Sequence, residues 1–434
     1  GGSRMDVDSS QYCNNPERRR VTIMFNQVLK QLWNARRSNA WIWAVLLVVS
    51  VLLWFALDII YNYEAAARKP LGYDVDGLYN IELRYNWTTN ADSTLDEDNR
   101  AIYNLIKDYP LVDKICYYRG DEPFSDNRMY EGFTPHSDST FTVSTFIRLV
   151  SPEFFDVYNV TPIYGSIDSE HWSQGEYPVP VVMTRELADS VFGDASQAVG
   201  KTCYNPYYLM ANISTNYKVV AVVADQKPFG YSRYEKMIYM PNQPEALPYS
   251  NIVVSVKPEN RATFAEKFYA DMRQPLERGV FYLLGAEPLS ARKEAYDLSH
   301  GTVNYLNTTY IFIAFFMFMV FLIVLGTFMM RTRRRRCEIG VRMAMGSSRR
   351  MVMLQLMGEG LLLLALALLP ALVVALNIVN ADITVNTLTD MSALRFIVTF
   401  GTAALLLALV IVAAIYPSAR KAMNLDPAET LHDE

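Results

Sequence analysis

Residues 331–360, RTRRRRCEIGVRMAMGSSRRMVMLQLMGEG, separate two apolar runs and decide how the rest of the chain is read. Tyr310 to Met330 leads into the stretch, and Leu361 to Val379 leads out of it. Between Arg331 and Arg350 stand eight arginines against a single acid, Glu338. A basic loop this short between two membrane-length segments belongs on the cytoplasmic side by the positive-inside rule. Charge alone would make it a topogenic cluster and nothing more. Its second half has further pattern: Ile339, Met343, Met345, Val352 and Leu356 stand among the arginines, mostly four or seven residues apart, interrupted by Gly346-Ser347-Ser348. That spacing predicts a short amphipathic helix, a turn, and the start of the next membrane helix, with the loop placed at 331–353.

Working outward, four spans are expected: 41–60, 310–330, 355–379 and 395–416. The first holds one charge, Asp58, and twenty residues at helical rise cross about 30 Å of hydrocarbon. Glu359 is the polar oddity of the third, a turn or two inside the cytoplasmic face. An intramembrane acid is a functional candidate by default; here pairing with a loop arginine is favoured over ion transport. Residues 1–22, which open with a tag scar at Gly1–Arg4, precede an amphipathic stretch at 23–38 suited to the bilayer interface. Arg18, Arg19, Arg20, Lys30, Arg36 and Arg37 keep the N-terminus inside, and residues 417–434 are expected inside as well.

Residues 62–307 form the external part. They carry 22 basic and 33 acidic residues, so the remainder of a chain with net charge −5 is positive. An acidic large domain argues against nucleic-acid binding. Strands are expected at 78–85, 112–119, 251–257 and 279–285, with helices at 96–108 and 259–276. These make two flanking α+β halves, 75–124 and 246–287, around a strand-rich middle, 125–245. Ala195–Thr202 fits the phosphate-loop pattern formally, but a helix precedes it and Pro206 prevents one from following. A turn before a strand is the better reading. Four cysteines make no disulfide framework; Cys116 and Cys203, both external, leave one bridge open. Four histidines without ligand spacing give no metal site.

Cys337-Glu338-Ile339-Gly340-Val341-Arg342-Met343-Ala344-Met345-Gly346-Ser347-Ser348 resembles the REIGIRRALGAS signature of FtsX-like ABC permeases of the MacB type. Ser151-Pro152-Glu153-Phe154-Phe155, Leu187-Ala188-Asp189-Ser190-Val191-Phe192-Gly193 and Tyr217–Asp225 follow in the order of that family's external domain. Tyr416–Leu431 is similar to its terminal xPAxRAxxLDPxxAL.

The resemblance implies an α-helical membrane domain of four transmembrane helices, with a large α+β periplasmic domain of two subdomains between the first and second. It implies a bacterial inner-membrane location with both termini cytoplasmic. It also implies an ATPase-coupling role for Glu338, Ile339, Gly340, Arg342, Ala344, Gly346, Arg349 and Arg350. Helical prolongations after the first span and across the polar connector 288–309 would form a stalk. No cofactor is expected in this chain; ATP and Mg belong to a partner ATPase, because the cytoplasmic segments are too small to fold as an enzyme. A second permease copy or paralogue is expected, with a periplasmic adaptor and an outer-membrane channel as further partners. Two classes of function stay open: a permease that exports or releases a substrate, and a transmembrane regulator of a periplasmic partner. An anchored binding module fits the coupling signature less well. No nucleophile–base pair supports an enzyme.

Overall fold

The computed structural model describes residues 36–85, 95–136, 141–207, 216–243, 249–345 and 347–423. The expected interfacial helix at 23–38 falls almost entirely outside them, as does the terminal signature from Asn424 onward. Helices in chain order are α1 (Arg36–Ala67), α2 (Leu95–Lys107), α3 (Phe154–Val157), α4 (Arg185–Phe192) and α5 (Arg261–Met272). They continue with α6 (Leu289–Ser299), α7 (Thr302–Arg334), α8 (Arg336–Ala344), α9 (Arg349–Asn380) and α10 (Ala393–Met423). The chain divides into two units, one of residues 1–63 and 305–434, the other of residues 64–304.

In the first unit α1, α7, α9 and α10 are each long and apolar enough to cross a membrane, with mean hydropathy between 2.5 and 2.8. The 32 residues of α1 rise about 48 Å, well beyond the roughly 30 Å of hydrocarbon. On α10, Ala403, Leu407, Ile411 and Ala414 are buried in one stripe at helical spacing. They join Leu363, Leu364 and Ala367 of α9, Leu53 and Trp54 of α1, and Val320, Val324 and Phe328 of α7 in one apolar core. Small residues set how closely these helices approach. A Cβ at Gly360 would run into the Ile415 side chain and come within 2.9 Å of Ile411, whereas one at Gly358 would meet nothing within 4 Å. Phe312, Phe315, Met319 and Leu322 of α7 face outward, as expected of a lipid-facing stripe.

The second unit is built on one sheet. Its long strands are β1 (Leu78–Tyr85), β2 (Val112–Gly120), β4 (Val143–Val150), β6 (Val179–Thr184), β8 (Asn216–Val223), β9 (Met237–Pro241), β10 (Asn251–Val256) and β11 (Phe281–Pro288). Three short ones are β3 (Tyr130–Phe133), β5 (Pro162–Gly165) and β7 (Thr202–Tyr204). The order is β11-β1-β10-β2-β4-β9-β6-β8-β5, with β3 on β4 and β7 on β8. The pairs β4–β9 and β6–β8 are parallel, and all others are antiparallel. Side-chain alternation decides which face each residue serves. Tyr79, Ile81, Ile115, Ile252 and Val254 pack with Ile102 and Ile106 of α2 and Phe264 and Phe268 of α5. Their neighbours Leu78, Cys116, Tyr118 and Val253 meet Phe154, Phe155 and Tyr158 on the opposite face. In β6 and β9 every residue is buried, which is why both read as unbroken apolar runs.

The strands of the two flanking halves interleave in the order β11-β1-β10-β2, and they are not separated from the middle. Tyr118, Arg119 and Gly120 of β2 pair with Val150, Leu149 and Arg148 of β4, so one sheet runs through both. The connector 288–309 also differs from a single helix: α6 ends at Ser299, and Gly301 takes φ +73° before α7 begins. A left-handed glycine at that place ends a helix without a Cβ clash. Ala195–Thr202 folds as a 3₁₀ turn capped by the Asp194 side chain, then Gly200 at φ +86°, then β7. Cys116 and Cys203 are separate buried thiols in different apolar clusters.

Candidate functional site

The basic segment is shaped by three helix ends. Arg331, Arg333 and Arg334 occupy the last turn of α7, where cations suit the helix dipole. Arg335 leaves helical geometry at φ −103° and ψ 18°, and α8 restarts at Arg336 with Glu338 in its first turn. Ser348 then caps α9, its side chain accepting a hydrogen bond from the Met351 backbone N–H.

Two contacts fix α8 to the base of the helices. Ile339 is buried in the same apolar core as Val352 and Leu356 of α9. Beside it, Arg335 donates from Nη1 to Glu359 Oε1 at 3.0 Å and Oε2 at 3.3 Å. The Glu359 side chain is 2 % exposed and Arg335 a quarter exposed. A small cavity between α8 and α9 is lined by both, together with Glu338, Ile339, Val352 and Gln355. Arg331 extends the set by hydrogen-bonding Asn39 of α1.

Of the residues predicted from sequence, Ile339, Gly340 and Glu359 are buried, Ile339 and Glu359 lining the same cavity. Glu338 is exposed at the rim of that cavity, and Arg349 and Arg350 are exposed, as are Val341, Met345, Met351 and Leu354. Arg342 and Ala344 lie within α8 with side chains outside the described set, and Gly346 is outside the described residues altogether. The segment therefore has an inner face locked to α9 and an outer face mixing charge with large apolar side chains. Its inner side is held by Ile339 of α8 and by the charge-assisted Arg335–Glu359 pair at the break before α8.

A second polar cluster escaped sequence reading. Arg395 of α10 grips Asp58 of α1 with two bonds, Nε to Oδ1 at 2.8 Å and Nη2 to Oδ2 at 2.6 Å, both side chains being 1 % exposed. Arg395 also donates to the carbonyl oxygens of Thr389 (2.9 Å) and Val385 (3.1 Å). Asn62 Oδ1 accepts from the N–H and hydroxyl of Thr389 at 2.9 and 2.8 Å. The signal was present as one lone charge near the outer end of each of two apolar runs. In the soluble unit, buried Lys227 donates from Nζ to the carbonyl oxygens of Ala66 (2.8 Å) and Gly230 (2.9 Å). It thereby satisfies the last turn of α1. Burial, then the nearby Lys293 and Lys69, pulls its pKa down to about 8.

Two family models match the chain: an FtsX-like permease C-terminal domain over residues 310–427 and a MacB-like periplasmic core domain over residues 44–268. Among solved structures, the periplasmic region of MacB from Actinobacillus actinomycetemcomitans is 15 % identical. That match covers 55 % of this chain and 97 % of that one, with TM-score 0.33. The extracellular domain of the noncanonic ABC-type transporter YknZ from Gram-positive bacteria is 12 % identical, covering 47 % of this chain and 99 % of that one, with TM-score 0.31. A search of curated proteins finds no match.

Proposed function

Because this chain belongs to the MacB-type, FtsX-like ABC permeases of the inner membrane, with a periplasmic domain between its first two spans, we propose that it passes the motion of a separate ATPase to that domain. In this reading the ATPase docks on the outer face of α8 and the start of α9. Its closure on ATP moves α8, Ile339 and the Arg335–Glu359 pair carry the displacement into α7 and α9, and the periplasmic domain expels or releases a substrate already outside the inner leaflet. The permease works as a dimer with a second copy or a paralogue. Both termini stay cytoplasmic, and a periplasmic adaptor and outer-membrane channel complete the path.

The observation that carries this is the two-sidedness of α8, anchored within and exposed without. A helix of 9 residues is too short to hold its shape alone, so its anchoring to α9 gives it the stiffness a lever needs. Nucleotide chemistry is assigned to another polypeptide because the segment fitting a phosphate-loop pattern is a turn leading into a strand.

Purification from native membranes in mild detergent tests the proposal. A P-loop ATPase is expected at equal stoichiometry. Glu338→Arg should lower its stimulated ATP turnover by about tenfold, within the usual range of coupling energies, while membrane insertion is unchanged. Full stimulation in that variant, or a periplasmic partner in place of the ATPase, would contradict the coupling role.

A further inference from the structure

Two helices of the membrane unit turn long apolar stripes outward, and each stripe ends on an arginine. On α7, Phe312, Phe315, Met319 and Leu322 are exposed at helical spacing. Arg333, also exposed, stands about three turns beyond Leu322 on the same face. On α10, exposed Leu394, Val398, Leu405, Leu409 and Tyr416 follow one another at four- and seven-residue steps, and exposed Arg420 comes one turn later. Helical rise from Phe312 to Arg333 is about 32 Å, and from Val398 to Arg420 about 33 Å. Both lengths match a hydrocarbon layer of roughly 30 Å, so each guanidinium stands where a lipid-facing stripe meets the headgroups. Tyr416, 47 % exposed, adds an amphipathic ring of the kind enriched at that depth.

The fold makes no use of either arginine. Arg331 is bonded to Asn39 and Arg335 to Glu359, whereas Arg333 and Arg420 make no hydrogen bond or ion pair with another described residue. Each has a second exposed cation next to it, Arg334 and Lys421, and neither α7 nor α10 contains an acid. A charge that only sets topology needs a place near the end of a span, not a particular side of the helix. Here the side is the lipid-facing one. A planar guanidinium matches a phosphate with two parallel N–H donors, and a headgroup without its own ammonium leaves that phosphate free to accept them.

We propose that Arg333 with Arg334, and Arg420 with Lys421, bind the phosphates of anionic phospholipids in the leaflet these helix ends reach, the acyl chains lying along the two stripes. The lipid contact is separate from the outer face of α8. It stands whether or not the chain couples to an ATPase.

The test is native mass spectrometry of the full-length protein titrated with phosphatidylglycerol or phosphatidylcholine, beside thermal unfolding in nanodiscs of each lipid. Phosphatidylglycerol should be retained at least ~10-fold better, since each cation near the headgroups is worth about fivefold in affinity. Arg333→Gln and Arg420→Gln should each lower that affinity by about fivefold, and together by about 25-fold. Either single change leaves the other arginines at that end to set topology. Arg333→Lys with Arg420→Lys keeps both charges and should stay within about twofold of the parent. In phosphatidylcholine discs all unfolding midpoints should agree within about 1 °C, because no bond within the protein is lost. Equal retention of the two lipids, or a preference that survives the double Gln change, would overturn the assignment. So would displacement of the lipid by equimolar inorganic phosphate, or loss of a second copy of the chain in place of lipid from Arg333→Gln.

Discussion

Asp58 and Arg395 meet inside the helical unit with both side chains almost completely buried. Arg395 spends its remaining donors on Val385 and Thr389 of the short segment before α10. A bidentate pair whose other protons are satisfied in this way keeps its Coulombic gain without orphaned groups. Removing one partner is a different matter. Arg395→Met leaves a carboxylate in an apolar bundle and should destabilise by about 3–5 kcal/mol. Adding Asp58→Asn should restore a substantial part of that loss. Unfolding midpoints of the two single variants and the double variant give the coupling directly, and equal, additive losses would show that the pair does nothing as a pair. At this scale the sequence exposed Asp58 and Glu359 as charges in apolar runs, but partner choice was hidden. Eight arginines stood between Arg331 and Arg350, and only the break in helix at Arg335 aims that one at Glu359.

Helix by helix, contact is set by small residues. Gly358 and Gly360 are two positions apart on α9, yet only Gly360 faces Ile411 and Ile415 of α10. Gly360→Leu should force α9 and α10 apart and lower stability by about 1–3 kcal/mol, as overpacking does. Gly358→Leu should leave the midpoint within about 0.5 kcal/mol of the parent, as substitutions away from such contacts do. Similar losses from both would mean that helix propensity, not the α9–α10 contact, governs this region. Elements with a long pattern were legible: β1, β2, β10 and α2 stand at 78–85, 112–120, 251–256 and 95–107, each within a residue of its expected bounds. Strands of four residues, β3 and β5, were not, because so few positions carry no period and form only where a longer neighbour offers a ladder. The break at His300–Gly301 was missed for a related reason: a polar stretch compatible with helix on both sides conceals one left-handed residue.

Over the whole molecule, the division between an apolar helical unit and an acidic soluble one was open to a reading of hydropathy and charge. The continuity of the sheet was not. Strands from both flanking halves and from the middle lie in one hydrogen-bonded order, and such long-range pairing leaves no local signature. Residues 331–353 fall between these cases: their basic, amphipathic pattern predicted a short helix and a turn, while the anchoring through Ile339 and Arg335 required the fold. The central claim is that the outer face of α8 is where an ATPase docks. Cys337 is exposed on that helix, whereas Cys116 and Cys203 are buried, so a short photo-activated thiol reagent can be placed there once Cys13 is replaced by serine. Irradiated in native membranes, Cys337 should join the chain to an ATPase subunit, with a yield that changes when ATP is bound. Adducts confined to lipid or to another protein, with the ATPase present and unlinked in every nucleotide state, would contradict the account.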